Sequence, residues 1–298
     1  MSRTSDRYIS WPEGKDRIKV GLDDLPKWSQ WPARLLGVAP WETPSRTIEK
    51  IDQEYDKDKY ARCLDYFTGA ERQITPEKVK QFEFGLDLDH KICISIGDEL
   101  YEITLKEARL IYYDMMLNAM HTELEKCKTV IELGAGYGFN LWWMQQKYEN
   151  RYFWRGEYSK NAVELASHLY RDNPWIKVVY FNFLEPATYE LIAQAEPPVV
   201  IFTAHAIEQL PHSSLVFDNL LQYRDKIQAV FHFEPVYELH RESLLGLMRR
   251  RYTEINNYNK DLLSELQSRA YICIIELQGD MFGLNPLNPT SIIHWMFE

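Results

Sequence analysis

From residue 129 to residue 140 the chain reads Thr-Val-Ile-Glu-Leu-Gly-Ala-Gly-Tyr-Gly-Phe-Asn, and few folds accommodate such a run. The β-branched, apolar stretch Thr129-Val130-Ile131 leads into an acid, Glu132. Glycines then follow at alternate positions, Gly134, Gly136 and Gly138, with Ala135 and Tyr137 between them. Asn140 to Lys147 is compatible with a helix. Strand, glycine turn and helix start together let backbone approach a nucleotide-like ligand closely. Three alternate glycines without such an approach would carry an entropic cost for nothing.

After this turn, strand-like and helix-like stretches alternate. Strands are predicted at Thr129–Leu133, Tyr152–Tyr158, Lys177–Phe181, Val199–Thr203 and Ala229–Phe233. Helices are predicted at about Asn140–Lys147, Lys160–Tyr170, Ala187–Gln194 and Leu215–Gln222, with a long helical insert from Glu238 to Ser268. Tyr271–Leu277 and Ser291–Phe297 are strands joined by a loop rich in Gly, Asn and Pro, so they pair antiparallel at one edge. The alternation implies a doubly wound α/β sheet with helices on both faces. Upstream, the spacing predicts short helices after Leu25 and from Thr75, and a longer one from Ile48 to Gly69. A hairpin follows over Lys91–Ile103, then a helix capped by Thr104. Residues 1 to about 21 are polar and mixed, and order there requires docking onto the body.

A dinucleotide fingerprint needs glycine at the first, third and sixth positions of the turn, and here the sixth is Phe139. The acid-x-Gly-x-Gly-x-Gly spacing resembles instead motif I of the class I S-adenosylmethionine-dependent methyltransferases. Glu157 stands at the end of the second strand in Arg-Gly-Glu-Tyr-Ser, beside Tyr158, one helix beyond Gly138. There a carboxylate can accept both ribose hydroxyls of a nucleoside, the role an acid plays at this strand end in that family. Asn182 and Phe183, after the third strand, match the family's adenine-binding position. An amide carbonyl can accept from an exocyclic amine, and the phenyl ring can pack on the base.

The resemblance covers about residues 104–298. It implies a Rossmann-like, seven-stranded sheet with an antiparallel last strand, and S-adenosylmethionine as cofactor, released as S-adenosylhomocysteine. Residues 1–103 are then an N-terminal, mainly helical extension that caps the substrate site. HAIEQLP and NPLNPTS together also resemble stretches of sugar O-methyltransferases.

Methyl transfer from a sulfonium is a direct displacement, and a base is needed only where the acceptor loses a proton. The fourth strand ends Phe-Thr-Ala-His-Ala-Ile-Glu-Gln, placing Thr203 and His205 at its tip with Glu208 three residues on. Glu208 can orient the imidazole and raise its basicity. His205 is thus a candidate base or a cofactor-lining residue. Period-two alternation points His232 and Glu234 the same way at the end of the fifth strand, with Glu234 expected to face the site. Tyr137 is read as a pocket wall, Asn285–Pro289 as a turn, and the Glu238–Ser268 insert as overhanging the acceptor.

The acceptor implied is a small polar molecule, of sugar type or a natural-product or peptide group, methylated at oxygen rather than nitrogen. A net charge of −10 offers no whole-molecule attraction to nucleic acid or to an anionic membrane. The four cysteines make no CxxC pair and support neither a zinc site nor a disulfide framework; Cys93 and Cys273 read as buried thiols. The N-terminal residues lack the apolar segment of a secretory signal, and no apolar run spans a bilayer, so a cytoplasmic protein is expected. Two other readings stay open: a nicotinamide-dependent oxidoreductase, and a catalytically silent binding scaffold. Oligomeric state is not legible.

Overall fold

The computed structural model describes residues 7–69, 74–85 and 87–298. Ten strands form one sheet: β1 Ile18–Val20, β2 Lys91–Ile96, β3 Glu99–Thr104, β4 Thr129–Leu133, β5 Tyr152–Glu157, β6 Ile176–Tyr180, β7 Val199–Ala204, β8 Ile227–Glu234, β9 Ile272–Gly283 and β10 Thr290–Phe297. Their spatial order is β1-β3-β2-β9-β10-β8-β7-β4-β5-β6. The block β6-β5-β4-β7-β8 is parallel, and β10 runs antiparallel to both β8 and β9.

Side-chain alternation explains why helices cover both faces. Val130, Val200, Phe202, Phe231, Phe233 and Ile292 enter one core, together with Met115 and Met116 of the helix Leu105–Leu124. Their neighbours Ile131, Val199, Ile201, Val230, Ile293 and Trp295 enter the other, against Phe217 and Leu266. Strands buried on both faces in this way read as continuous apolar runs. Thr104 caps the long helix in a reciprocal capping box with Glu107.

The seven-stranded sheet expected from the sequence is corrected to ten. Residues upstream of 104 are not only helical: they supply β1, β2 and β3. Ser95 and Ile96 pair with Gly283 and Phe282, so the far edge of β9 is covered by main-chain hydrogen bonds rather than left open. The described part of the first 21 residues is docked. Tyr8 and Ile9 are buried, and the Tyr8 hydroxyl donates to Glu276 at 2.5 Å; residues 1–6 lie outside the described residues. Cys93 is buried as expected, whereas Cys273 is exposed on β9. Among the described residues no helix is long and apolar enough to cross a membrane.

The insert after β8 contains the helices Leu244–Ile255 and Leu262–Gln267. Its fully buried Arg249 contacts Asp280 at 3.0 Å and donates to the carbonyls of Gly97 (2.8 Å) and Pro286 (2.9 Å). His240 donates its Nδ1 proton to the other oxygen of Asp280 at 2.7 Å. One guanidinium therefore fastens the insert, the β2–β3 turn and the β9–β10 loop together. Removing one partner strands a buried charge, at a cost of about 3–5 kcal/mol. Asp280→Asn keeps a side chain suited to the positive φ of 54° at this position and is expected to lower unfolding stability by about 3 kcal/mol. Urea denaturation checks this: an unchanged midpoint would show that the pair contributes nothing.

Candidate functional site

The turn after β4 needs its glycines. Gly134, Gly136 and Gly138 have φ of 78°, 54° and 86°, a region that residues with a Cβ rarely adopt. The surroundings are also closed: a Cβ on Gly134 would lie 2.4 Å from the Ala206 Cβ, and one on Gly136 2.4 Å from the Tyr60 hydroxyl. This crowded turn forms one wall of a cavity of about 490 Å³, within the usual range for small-ligand sites.

Most residues singled out in the sequence meet here. Glu132, Gly134, Ala135, Gly136, Tyr137, Glu157, Tyr158, Asn182, Phe183, His205 and Glu208 all line the cavity. Glu157 is buried, and its two oxygens accept from the amides of Gly136 (2.7 Å) and Ser159 (2.8 Å). A carboxylate has about four acceptor positions, so capacity remains for a ligand hydroxyl. Burial pushes its carboxyl above the ordinary value, against the opposing pull of the Arg155 charge and the backbone amides. Glu132 Oε1 accepts from the Asn140 amide at 2.6 Å, while Oε2 has no hydrogen-bond partner among the described residues. Burial raises this carboxyl to about 8.

His205 sits at the tip of β7 with a φ of 51°, strained for a non-glycine residue. Its Nδ1 lies 3.3 Å from Glu208 Oε2 and its Nε2 2.7 Å from the Thr290 hydroxyl. Burial pulls the imidazole pKa down, but the charge and hydrogen bond of Glu208, with Glu234 behind, leave it raised overall. Glu208 is itself fixed by the amides of Gln209 (2.9 Å) and Asn288 (3.0 Å).

Two expected site residues turn away. Glu234 is fully buried and accepts from the amides of Ala206 (3.0 Å), Ile207 (3.1 Å) and Glu208 (3.3 Å). It shapes the turn that presents Glu208 and does not face the cavity. Alternation does place it with His232, but that face of β8 packs on Phe217 and Trp295. Thr203 is buried on the same side. Trp295 Nε1 donates to His232 Nε2 at 3.0 Å, so His232 Nδ1 carries the proton bonded to the Thr203 hydroxyl, also at 3.0 Å.

Other parts of the site carry no local signal in the sequence. The segments upstream of β4 contribute Tyr55, Lys59, Tyr60, Lys80, Glu83 and Tyr112, and the β9–β10 loop contributes Asn285 and Asn288. Among the described lining residues none comes from 238–268; the insert stands behind the loop, where Asn285 donates to the Tyr252 hydroxyl at 3.3 Å. A π-helical segment, Asp52–Tyr60, is fastened beside Glu157. The Tyr158 hydroxyl donates to Asp52 (3.2 Å), while the Ser159 hydroxyl (2.6 Å) and Asn161 amide (2.9 Å) donate to Asp56. Arg155, paired with Glu132 in the β4–β5 register, is fully buried, and among the described residues its guanidinium has no hydrogen-bond partner. Its charge sits beside Glu132 and Glu157 and favours their ionised forms.

A scan against protein-family models found no match to the chain, and neither did a search of curated proteins. Solved structures similar to the chain include magnesium protoporphyrin IX methyltransferase (ChlM) from Synechocystis with bound S-adenosylhomocysteine, at 10% identity and TM-score 0.49, covering 84% of this chain and 100% of that one. The mitomycin 7-O-methyltransferase MmcR matches at 11% identity and TM-score 0.41, covering 90% and 71%. The O-methyltransferase NcsB1 from neocarzinostatin biosynthesis matches at 13% identity and TM-score 0.41, over 64% of this chain and 58% of its own. With these TM-scores below 0.5, the site geometry carries the functional reading by itself.

Glu132 titrates with a definite sign. A carboxyl raised from 4.5 to about 8 by folding stabilises the fold while protonated. That contribution is complete below about 4.5 and fades as pH rises through about 8. Glu132→Gln removes it, so the decline in Tm between about pH 5 and about pH 8 should be shallower than in the wild type. Identical slopes would mean that Glu132 titrates in the ordinary carboxylate range.

Proposed function

We propose that this chain is an S-adenosylmethionine-dependent methyltransferase. Its acceptor is a small polar molecule, of sugar type or a natural-product or peptide group, methylated at oxygen in preference to nitrogen. The observation that carries this reading is the hydrogen bond from the Gly136 amide to Glu157, at the wall of the cavity that also holds His205. It ties the glycine turn to a carboxylate suited to a ribose diol. The residues present fit the donor. Glu157 has spare acceptor capacity for hydroxyls, Asn182 and Phe183 offer an amide and a ring for a base, and the unpaired Oε2 of Glu132 suits an ammonium. Phe139 is buried against Tyr113 and Trp142, where a dinucleotide turn calls for glycine.

When bound, the sulfonium supplies a methyl group open to direct displacement. The protein aligns the two reactants and excludes water. Glu208 holds the Nδ1 proton of His205, which leaves the lone pair on Nε2. Nε2, which lies 2.7 Å from the Thr290 hydroxyl, takes the proton lost by an acceptor hydroxyl. Glu234 serves indirectly, holding the 206–208 turn through three amides.

A thermal-shift panel with S-adenosylhomocysteine and NAD(H) tests the reading. S-adenosylhomocysteine at one hundred times its Kd should add about 2.7 kcal/mol of stability, and NAD(H) none. Gly136→Val should abolish the shift, whereas His205→Ala should retain it while slowing turnover. Stabilisation by NAD(H) alone sinks the proposal.

Proton release supplies an independent check. An ammonium placed against Glu132 lowers its pKa from about 8, so binding near pH 7 should expel a proton. Calorimetry of S-adenosylhomocysteine binding in two buffers of different ionisation enthalpy reads that proton directly. Equal heats in both buffers would remove Glu132 from the ligand site.

A further inference from the structure

Beyond the residues already assigned, the cavity wall upstream of β4 carries an unbalanced charge. Lys59 lies in the last turn of the π-helical segment, and Lys80 and Glu83 lie on the helix Pro76–Phe84. Glu83 is shared between the two ammoniums, at 2.6 Å from Lys59 through Oε1 and 2.9 Å from Lys80 through Oε2. All three side chains line the cavity, so on this stretch of its wall two cations stand beside one anion. An ammonium has three donors, and each of these meets Glu83 with one.

Their position relates them to the glycine turn. Lys59 Nζ lies 5.1 Å from the centre of the Tyr60 ring, whose hydroxyl covers Gly136. Lys80 Nζ lies 5.8 Å from the Tyr137 ring and 5.6 Å from that of Phe139. Aromatic faces shed water from the two cations, so a further anion is attracted more strongly than at an open surface.

We propose that Lys59 and Lys80 form a carboxylate subsite for the amino-acid end of the methyl donor. This deepens the donor reading and rests on it. The donor's amino acid carries one carboxylate and one ammonium, and the wall offers a complement to each: the lysine pair for the first, the unpaired oxygen of Glu132 for the second. The segments upstream of β4 then complete the donor site as well as bordering the acceptor.

Titration calorimetry with S-adenosylhomocysteine and 5′-methylthioadenosine tests the assignment, because the second ligand has the nucleoside but no amino acid. Lys59→Met and Lys80→Met should each weaken S-adenosylhomocysteine about ten- to a hundredfold, the loss of a charge-assisted hydrogen bond. They should leave 5′-methylthioadenosine within about twofold. Glu83→Gln, which keeps both lysines and removes their internal anion, should tighten S-adenosylhomocysteine, so the test survives a lysine variant that does not fold. Unchanged affinities in all three variants, or equal weakening of both ligands, overturn the subsite. A third arm titrates 4-hydroxybenzoate in the presence of S-adenosylhomocysteine. If the lysine variants lose only that binding, the carboxylate belongs to the acceptor and the donor assignment fails. A wild-type protein that binds neither nucleoside overturns the donor reading itself, an outcome distinct from loss of the lysine effect alone.

Discussion

The short hydrogen bond between the Gly136 amide and Glu157 is the constraint on which the site depends. It can form only because the chain leaves β4 through three left-handed glycines, which turn backbone N–H groups toward the end of β5. Once Glu157 is held there, the neighbouring charges follow from strand register. Glu132 and Arg155 are partners across β4 and β5, and Arg155 and Glu157 share a face by alternation. A buried acid–base–acid row results, with the cation between two carboxylates. Burial pushes both acids toward their neutral forms and Arg155 opposes it, so the row stays responsive to whatever charge enters the cavity.

The parallel half of the fold was largely legible. Apolar runs separated by helix-length intervals placed β4 to β8 within a residue or two, because strands buried on both faces leave little freedom in sequence. The start of the sheet was not. β1 is only Ile-Lys-Val, exposed or half-buried along its length, and pairing with β3 defines it where pattern does not. The sequence of the hairpin β2–β3 announced the strands but not their neighbour, since β9 is far away in the chain.

The site divides along the same line. Glu157, Glu132 and the glycines were readable because spacing along the chain ties them to strand ends. Glu234 and Thr203 were misplaced for a definite reason. Alternation says which residues share a face of a strand, but packing decides whether that face meets the cavity or the Trp295–His232 layer. Lys59, Lys80 and Tyr112 carry no local signal that separates them from the other charged and aromatic residues of the helical stretches upstream of β4. Nothing local distinguishes a lysine facing water from one facing a pocket; that distinction arises only when the segments upstream of β4 close over the turn. The β9–β10 loop, read as a simple turn, acquires its role through Asn288, which fixes Glu208.

The fastening of the Asp52–Tyr60 segment has a positional meaning. With Tyr60 lying on Gly136, and Asp52 and Asp56 bonded beside Glu157, the segment is held against the turn at several points. The bonds are polar, few, and supplied by carboxylates near the surface, so each opens readily even where the assembled group holds. Lys59 belongs to that same segment, so the contacts that fasten it also decide where its charge stands relative to the glycine turn.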